Sequence, residues 1–412
     1  MTNSLTPRER VLLTLQHEEP DSVPLDFGGM HATGIHADAY HKLREFLGMP
    51  SCKIRILNVW MQLAVIEDEI RDRFGVDTTP VELLRPAFGL SIAHWKPYTL
   101  PDGSDGEISS EYSPKIGPDG SKTLCDSNGH PFAYMPAGGL WFDVINFPFE
   151  RASNSQDIEK FNWEELLLRE DDLAFIKKQS KWLYENTNKA IVGNFGGAIF
   201  DWAQQLRGFS NVMLDLCENK SFFEYLLDKM TEIHIENLRL YLDTVGKYIH
   251  IVALGDDLGT QSGPWMAPET YREVIKPRHA KIFRFIKERC PHLFVFLHSC
   301  GSIYKLLPDL IDAGIDIINP IQVTARGMEP SLLKREFGKS LTFWGGGIDT
   351  QNILPFGTPQ QVHDQVKERI SVLAPGGGYV FATVHNIQSE VPPENIVAMF
   401  EAVAKYRQYS IT

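Results

Sequence analysis

From about residue 155 onward, short apolar runs alternate with amphipathic helical segments, and this alternation limits the fold more than any other feature. Short apolar runs bounded by turn residues predict buried strands. The predicted strands are centred near residues 25, 57, 192, 251, 295, 317, 343 and 380. Such strand–helix repetition is typical of a parallel sheet, and eight units predict an α/β fold with a single (β/α)8 TIM-type barrel spanning residues 1–412.

The helices that separate these strands follow from the spacing of apolar residues. They are predicted at residues 7–17, 61–74, 171–185, 201–216, 220–244, 268–289, 302–312, 330–337, 359–373 and 393–408. The segment 268–289 contains Pro277, which should kink the helix because proline has no backbone N–H to donate.

Residues 97–140 interrupt the alternation. The segment is dense in Gly, Pro, Asp and Ser, and its Asp-Gly pairs at 102–103, 105–106 and 119–120 favour tight hairpin turns. It contains too few apolar residues to fill a core. We therefore expect a small β-hairpin insertion rather than a second domain.

Charge and cysteine content exclude several classes of protein. A net charge of −13 argues against nucleic acid or an anionic membrane as the main partner. The five cysteines are odd in number and irregularly spaced, so they do not form a disulfide framework and favour a reducing cytoplasm. The N-terminus lacks the apolar core of a signal peptide, and no apolar stretch is long enough to span a membrane. A soluble cytoplasmic protein is expected.

Polar side chains gather where the predicted strands end, which is the active rim of such a barrel. His298 and Cys300 lie two residues apart at one strand end, so both side chains can reach a single ion. Zn²⁺ accepts nitrogen and sulfur ligands and keeps an open position in catalytic sites. His385 is the third ligand we favour, and Asp256 or Asp257 are alternatives. The structural alternative is a hydrogen-bonded histidine beside a buried thiol.

Other residues at these strand ends are candidates for catalysis and binding. Asp256 and Asp257 are adjacent carboxylates, and at least one should contact substrate, metal or a partner of the metal ligands, although a turn cap is the structural alternative. Asn194 is the third catalytic candidate. The candidates for binding a cofactor are Gln322, Gly346 and Gln388. Gly346 lies in a glycine run that allows close approach to backbone, but no Lys-Ser/Thr follows, so this is not a P-loop.

The chain resembles the uroporphyrinogen decarboxylase superfamily, in its corrinoid-dependent methyltransferase branch. The resemblance is carried by TPRER at 6–10, PDSVP at 20–24, GDDLGTQ at 255–261, HSCG at 298–301 and VPPENI at 391–396. It covers nearly the whole chain. It implies a (β/α)8 barrel, which agrees with the strand count.

The resemblance also implies a metal and a partner. Enzymes of this branch use a His-x-Cys pair and a distant cysteine to hold zinc, opposite a cobalamin that a separate corrinoid protein carries. His298 and Cys300 match the pair, whereas the loop before Pro392 holds His385 and no cysteine. One thiolate with two imidazoles leaves a more electrophilic ion, which favours a small methoxylated methyl donor and transfer of its methyl group to the corrinoid.

The decarboxylase of this superfamily is the runner-up. Its arginine-rich signature after the first strand binds the carboxylates of a porphyrinogen, but no arginine occurs here between Arg10 and Arg44. A related carboxy-lyase would need Arg207, Arg278 or Arg326 to bind an anionic substrate. A non-catalytic binding barrel is the third possibility.

The corrinoid is expected on a partner protein that docks over the barrel mouth. After the predicted helix 393–408 only four residues follow, and the segment 97–140 is too polar to enclose a corrin. The number of subunits is left open, with a homodimer as one option.

Overall fold

A computed structural model describes residues 5–409. The strands are β1 (Ile54–Asn58), β2 (Leu63–Ala64), β3 (Thr78–Val81), β4 (Trp95–Thr99), β5 (Asp105–Ser109), β6 (Lys115–Ile116), β7 (Lys122–Cys125), β8 (Pro131–Met135), β9 (Asp143–Val144), β10 (Ala190–Gly196), β11 (Ile251–Gly255), β12 (Phe294–His298), β13 (Ile317–Asn319), β14 (Thr342–Trp344) and β15 (Tyr379–Val380).

The α-helices connect and flank these strands. They are α1 (Pro7–Leu15), α2 (Ala37–Phe46), α3 (Asp68–Phe74), α4 (Ser155–Glu159), α5 (Glu170–Asn186), α6 (Phe200–Arg207), α7 (Phe209–Glu218), α8 (Lys220–Val245), α9 (Pro268–Thr270), α10 (Lys276–Arg289), α11 (Leu307–Ala313), α12 (Pro330–Phe337), α13 (Ile353–Phe356), α14 (Pro359–Leu373) and α15 (Pro393–Tyr406). No helix among residues 5–409 combines the length and the apolar character that crossing a bilayer requires.

A parallel sheet of seven strands forms the centre of the molecule, in the order β15-β14-β13-β12-β11-β10-β3. The six strands predicted near residues 192, 251, 295, 317, 343 and 380 are confirmed as β10 to β15. Their apolar residues are buried on both faces, because helices cover the outside and side chains such as Phe296 and Trp344 fill the inside. The fold is α/β and consistent with a TIM-type barrel.

The prediction for the second barrel strand was wrong. Residues 54–60 contribute β1, which pairs antiparallel with β2 and parallel with β5, outside the central sheet. The barrel strand is β3, whose sequence Thr-Thr-Pro-Val is too polar and too short to resemble a buried strand. The helix predicted at 61–74 is also shorter than expected, because Leu63–Ala64 form β2 and only Asp68–Phe74 is helical.

The predicted strand at residues 23–27 lies between the two edges of the seven-stranded sheet. Phe381, just after β15, donates its N–H to the carbonyl of Pro24 and accepts from the N–H of Asp26, both at 2.8 Å. On the other side, Asp77, just before β3, donates its N–H to the carbonyl of Leu25 at 2.8 Å. This segment thus satisfies backbone groups at both sheet edges and connects them.

The region expected to be a hairpin insertion, residues 97–140, contributes to two small sheets outside the barrel. Strands β4 and β5 pair antiparallel and join β1, while β6 to β9 form a separate antiparallel sheet. Phe142 is fully buried beneath them, with Phe88 edge-on at 5.9 Å, and its N–H donates to the carbonyl of Trp60 at 3.0 Å. This packing places the neighbouring Trp141 beside the barrel mouth.

Two predicted helices are interrupted. The segment 201–216 divides at Gly208, which has φ of +84° and separates α6 from α7. The segment 268–289 contains a π-helical turn, Tyr271–Ile275, which ends two residues before Pro277. Proline has no N–H, so one helical hydrogen bond is missing there. Helix α2 was not predicted.

Asp77 supplies the first testable prediction. Its carboxylate is 1% exposed, accepts from the N–H of Leu25 at 2.8 Å and from Arg10 at 2.5 Å, and also pairs with Arg407. Asp77→Ala should lower the free energy of unfolding by about 3–5 kcal/mol, because it leaves Arg407 without a counterion and the buried N–H of Leu25 without an acceptor. Urea denaturation measures this loss. Glu269→Ala, which removes a 78% exposed partner of Arg272, is the control and should cost about 0.5 kcal/mol or less.

Candidate active site

Three potential metal ligands meet where the barrel strands end. His298 is the last residue of β12, Cys300 follows two residues later, and His385 lies in the loop after β15. One ligand atom from each lies within 4.8 Å of the others. The Nε2 of His298 and the Sγ of Cys300 are 3.3 Å apart. Ligands of a tetrahedral Zn²⁺ ion lie about 3.5 Å from one another, so this cluster is close to the required arrangement.

Amide side chains orient both imidazole rings. The Nδ1 of His298 lies 2.5 Å from the Oδ1 of Asn319, whose Nδ2 donates to the carbonyl of Trp344 at 2.7 Å. The Nδ1 of His385 likewise donates to the Oδ1 of Asn386. Each ring therefore keeps its Nε2 free as a ligand atom, which is the usual arrangement around bound zinc. Burial lowers the pKa of His385 to about 4, so its ring is neutral at pH 7.

Asp257 positions the backbone of Cys300, the ligand that provides sulfur. Its Oδ1 accepts from the backbone N–H of Cys300 at 2.7 Å. Burial, and then the nearby carboxylate of Asp257, raise the pKa of the Cys300 thiol. A bound cation would act in the opposite direction and favour the thiolate. Two imidazoles and one thiol, from the ends of β12 and β15, fit a catalytic zinc site with one open position.

A cavity of about 600 Å³ adjoins these ligands. Most of its wall is apolar or aromatic: Met30, Ala32, Trp60, Met61, Leu83, Pro86, Trp141, Phe195, Ala253, Leu254 and Phe296. Its polar lining side chains are His31, Glu82, Asn194, Asp257, His298, His385, Asn386 and Gln388. Among the described residues that line it, none is arginine or lysine. The cavity therefore suits a small, largely apolar, uncharged molecule.

Three of the sequence-predicted residues besides the metal ligands line this cavity. Asp257 lies next to Cys300, Gln388 donates to the Oδ1 of Asn386 at 2.8 Å, and Asn194 lies on β10. Gln388 thereby steadies the amide that orients His385. The role of each towards substrate or cofactor stays a prediction.

Asp256 lies behind the cavity and does not line it. Its two carboxylate oxygens accept from the N–H groups of Phe200 and Asp201, at 2.9 and 2.8 Å, at the start of α6. The Nε2 of His279 lies 2.9 Å from the same carboxylate, and the Nδ1 of His279 lies 3.1 Å from the hydroxyl of Tyr271. The structure therefore places Asp256 as a buried cap of α6, not as the cap of the following turn that was its structural alternative, and a catalytic role for it stays a prediction.

Gln322 and Gly346 also lie outside the cavity lining. Gln322 accepts from the N–H of Gly301 at 2.7 Å and donates to Gln261 at 2.9 Å, so it connects three loops of the rim. Gly346 has φ of +72°, and a Cβ there would lie 2.7 Å from Ile321. Close packing therefore requires glycine at position 346. A cofactor contact by Gln322 or Gly346 stays a prediction.

A second polar cluster in the same cavity was missed from the sequence. The Nε2 of His31 lies 3.1 Å from Glu82, and Asn194 donates to the other oxygen of Glu82 at 3.2 Å. Glu82 follows β3, the strand that the sequence pattern did not reveal. Recognising Thr-Thr-Pro-Val as a barrel strand would have placed Glu82 at the rim.

Asn58 fixes the proton on His31. Its Oδ1 accepts from the N–H groups of Trp60 and Met61, at 2.9 and 3.2 Å, so its Nδ2 faces the Nδ1 of His31 at 3.0 Å. Burial lowers the pKa of His31, but Glu82 raises it, with a net rise; the bond from Asn58 favours the neutral ring. In either protonation state the Nε2 carries a proton that faces Glu82.

Known proteins share sequence with this chain. The family model for uroporphyrinogen decarboxylase (URO-D) matches residues 147–406, a range that contains all three potential metal ligands. A methylated-thiol–coenzyme M methyltransferase of Methanosarcina mazei is 29% identical over 153 residues, which is 37% of this chain. The aligned region spans only 37% of that relative's own length. A uroporphyrinogen decarboxylase of Geotalea uraniireducens is 23% identical over 282 residues, or 66% of this chain and 76% of the relative.

A solved structure of a methyltransferase from Methanosarcina mazei has a similar fold. It matches with a TM-score of 0.60 at 18% identity, covering 98% of this chain and 99% of that one. At this identity the likeness shows the fold alone.

The two neighbouring carboxylates should respond differently to substitution. Asp256→Ala should lower the free energy of unfolding by about 2–4 kcal/mol, because it uncaps α6 and leaves the Nε2 of the buried His279 without its partner. Asp257→Ala removes the hydrogen bond from the backbone N–H of Cys300 to the partly exposed carboxylate of Asp257, and it should cost about 1 kcal/mol or less. Urea denaturation of both variants measures the difference, and equal losses would contradict these assignments.

Proposed function

The chain belongs to the uroporphyrinogen decarboxylase family, and from this membership and its cavity we propose that it is a zinc-dependent methyltransferase that moves a methyl group between a small methylated substrate and a corrinoid protein. The observation that carries the proposal is the cluster of His298, Cys300 and His385 at the wall of an apolar cavity. When bound there, zinc would supply Lewis-acid activation of a substrate heteroatom. The methyltransferase relative of Methanosarcina mazei supports methyl transfer as the reaction class.

The residues around the ligands favour metal binding over a purely structural cluster. Asn319 and Asn386 each accept from the Nδ1 of one histidine, so both Nε2 atoms are free to bind. Asp257 positions the backbone of Cys300. These contacts hold the ligands in place before a metal arrives and therefore reduce the entropy lost on binding.

The ligand set favours a methoxylated donor. Two imidazoles and one thiolate donate less negative charge to a bound ion than a ligand set with two thiolates would, so the ion stays more electrophilic. Such an ion favours an ether oxygen as the leaving group, and hence transfer of methyl from donor to corrinoid. The apolar wall, with Trp60, Trp141 and Phe296, binds the donor's hydrocarbon part and excludes water from the methyl group.

The corrinoid partner follows from the branch of the family that the sequence motifs resemble. Cobalamin would be carried by a separate protein that docks over the barrel mouth, where the cavity and the three ligands lie. Trp141, which is 51% exposed and lines the cavity, would lie beneath that partner.

Decarboxylation of a porphyrinogen is disfavoured by the absence of arginine and lysine among the described residues that line the cavity. The arginines that such a reaction would need are used elsewhere. Arg207 is buried against Asp215, and Arg278 pairs with Asp228. Arg326 does not line the cavity either.

Zinc binding is the first test of this function. The protein should bind about one Zn²⁺ per chain, and Cys300→Ser or His385→Ala should each weaken zinc affinity by at least about 100-fold in competition with a chelator, because each removes a ligand. Asn319→Ala should weaken it by about 10–100-fold through loss of ligand orientation. Cys217→Ser, at an exposed free cysteine, is the control. Full affinity in both ligand variants would show that the site lies elsewhere.

Methyl transfer is the second test. The zinc-loaded protein, a panel of methoxylated compounds and a reduced corrinoid protein should convert cob(I)alamin to methylcobalamin, which is followed by absorbance. Zinc-free protein and the Cys300→Ser variant should lose at least about 100-fold in rate. Equal conversion without zinc would contradict the role of the metal. Release of CO₂ from a carboxylated substrate, with no need for corrinoid, would favour a lyase instead.

A further inference from the structure

We propose that His31, Glu82 and Asn194 form a site that recognises a hydroxyl group of the substrate. The same aromatic ring carries this hydroxyl and the methoxy group. The inference rests on the proposed function, because it assigns the part of the substrate that lies away from the methyl group. The three residues come from other barrel units than the metal ligands do. Glu82 follows β3 and Asn194 lies on β10, whereas His298 ends β12, with β11 between them.

Burial of the polar side chains in this cluster costs solvation free energy, which suggests that they bind a ligand. The side chain of Glu82 is 8% exposed, and its two polar contacts are the ring of His31 and the amide of Asn194. A carboxylate in a mostly apolar wall loses solvation that an apolar residue would not lose. His31 and Glu82 also line a second cavity of about 530 Å³ on their other side, so they are not required to fill space in a packed core. Both features are typical of a ligand-binding group.

The arrangement of donors and acceptors selects the kind of group. The N–H of His31 and an N–H of Asn194 already donate to the two oxygens of Glu82, and Asn194 also donates to the carbonyl of Gly29 at 3.3 Å. Each carboxylate oxygen keeps a further lone pair, so the cluster offers a hydrogen-bond acceptor to the cavity. A hydroxyl needs one acceptor for its single O–H, whereas an ammonium group needs three, and a carboxylate has no proton to donate. The cluster therefore favours a neutral hydroxyl over either charged group.

The walls next to the cluster indicate what carries the hydroxyl. Met30, Trp60, Phe195 and Phe296 line the same cavity. Aromatic walls favour a flat ring, which they contact through offset or edge-on packing. The substrate class is therefore a phenolic methyl ether, in which the ring lies between the metal ligands and the polar cluster.

Binding measured without the corrinoid partner separates this inference from the proposed function, because no methyl group can then be transferred. The probes are 4-methoxyphenol, whose hydroxyl lies across the ring from the methoxy group, and methoxybenzene, which lacks the hydroxyl. Their affinities for zinc-loaded protein are measured by calorimetry. The wild type should bind 4-methoxyphenol at least about tenfold more tightly, as expected for a hydrogen bond to a charged group. A preference below threefold, or no measurable binding of either probe, overturns the inference.

Variants then locate the preference. Glu82→Gln should reduce the preference for 4-methoxyphenol to less than about threefold and leave the affinity for methoxybenzene within twofold of the wild type. Glu107→Gln is the matched control and should keep the full preference. It alters a carboxylate on β5 that pairs with Arg55 on β1. An unchanged preference in folded Glu82→Gln overturns the assignment. The comparison of the two probes on the wild type needs no variant and stands if Glu82→Gln does not fold.

Failure of the two proposals is distinguishable. If the wild type prefers 4-methoxyphenol but transfers no methyl group to a reduced corrinoid protein, hydroxyl recognition stands and the proposed reaction is wrong. If methyl transfer proceeds with no preference for the hydroxyl, the reaction stands and this site is wrong.

Discussion

The architecture depends on one short extended segment, residues 24–26, that hydrogen-bonds to both edges of the parallel sheet. Without it, seven strands would end in two edges with unpaired backbone groups. The side chain of Asp26 strengthens the junction, since it accepts from Thr78 at 2.5 Å and from Trp344 at 2.8 Å. Burial raises the pKa of Asp26, although these hydrogen bonds oppose the rise. Strands from both ends of the chain are thereby held around one interior.

The site is a consequence of this junction. His385 follows β15, the strand at one edge of the sheet, and it meets His298 and Cys300 because the sheet curls rather than staying flat. The same curl brings Glu82, after the strand at the other edge, into the cavity that His298 and His385 line. The segment outside the barrel adds Trp141 at the mouth. A cavity with a metal-binding end, aromatic walls and a polar cluster results from elements far apart in sequence.

Neighbouring residues can have unrelated roles when the backbone alternates. Asp256 and Asp257 are adjacent, but one carboxylate faces the start of α6 and the other faces Cys300 and the cavity. Successive side chains of an extended segment point to opposite sides, so a pair of acidic residues at a strand end divides between support and site. The motif alone indicates that carboxylates matter here and does not reveal which one contacts the ligand.

The sequence by itself determined the six buried strands from β10 to β15, the helices that follow them, and the His298–Cys300 pair at a strand end. These features are local: apolar periodicity reports burial, and a spacing of two residues places side chains on one side. Only the tertiary structure decided that β3 rather than β1 enters the barrel and that His31 and Glu82 form a second cluster. It also decided among the third ligands that the sequence offered, because His385 rather than Asp256 or Asp257 groups with the pair. Each of these depends on which distant segments become neighbours when the sheet curls, and pairing across a long separation leaves no periodic signal in the residues themselves.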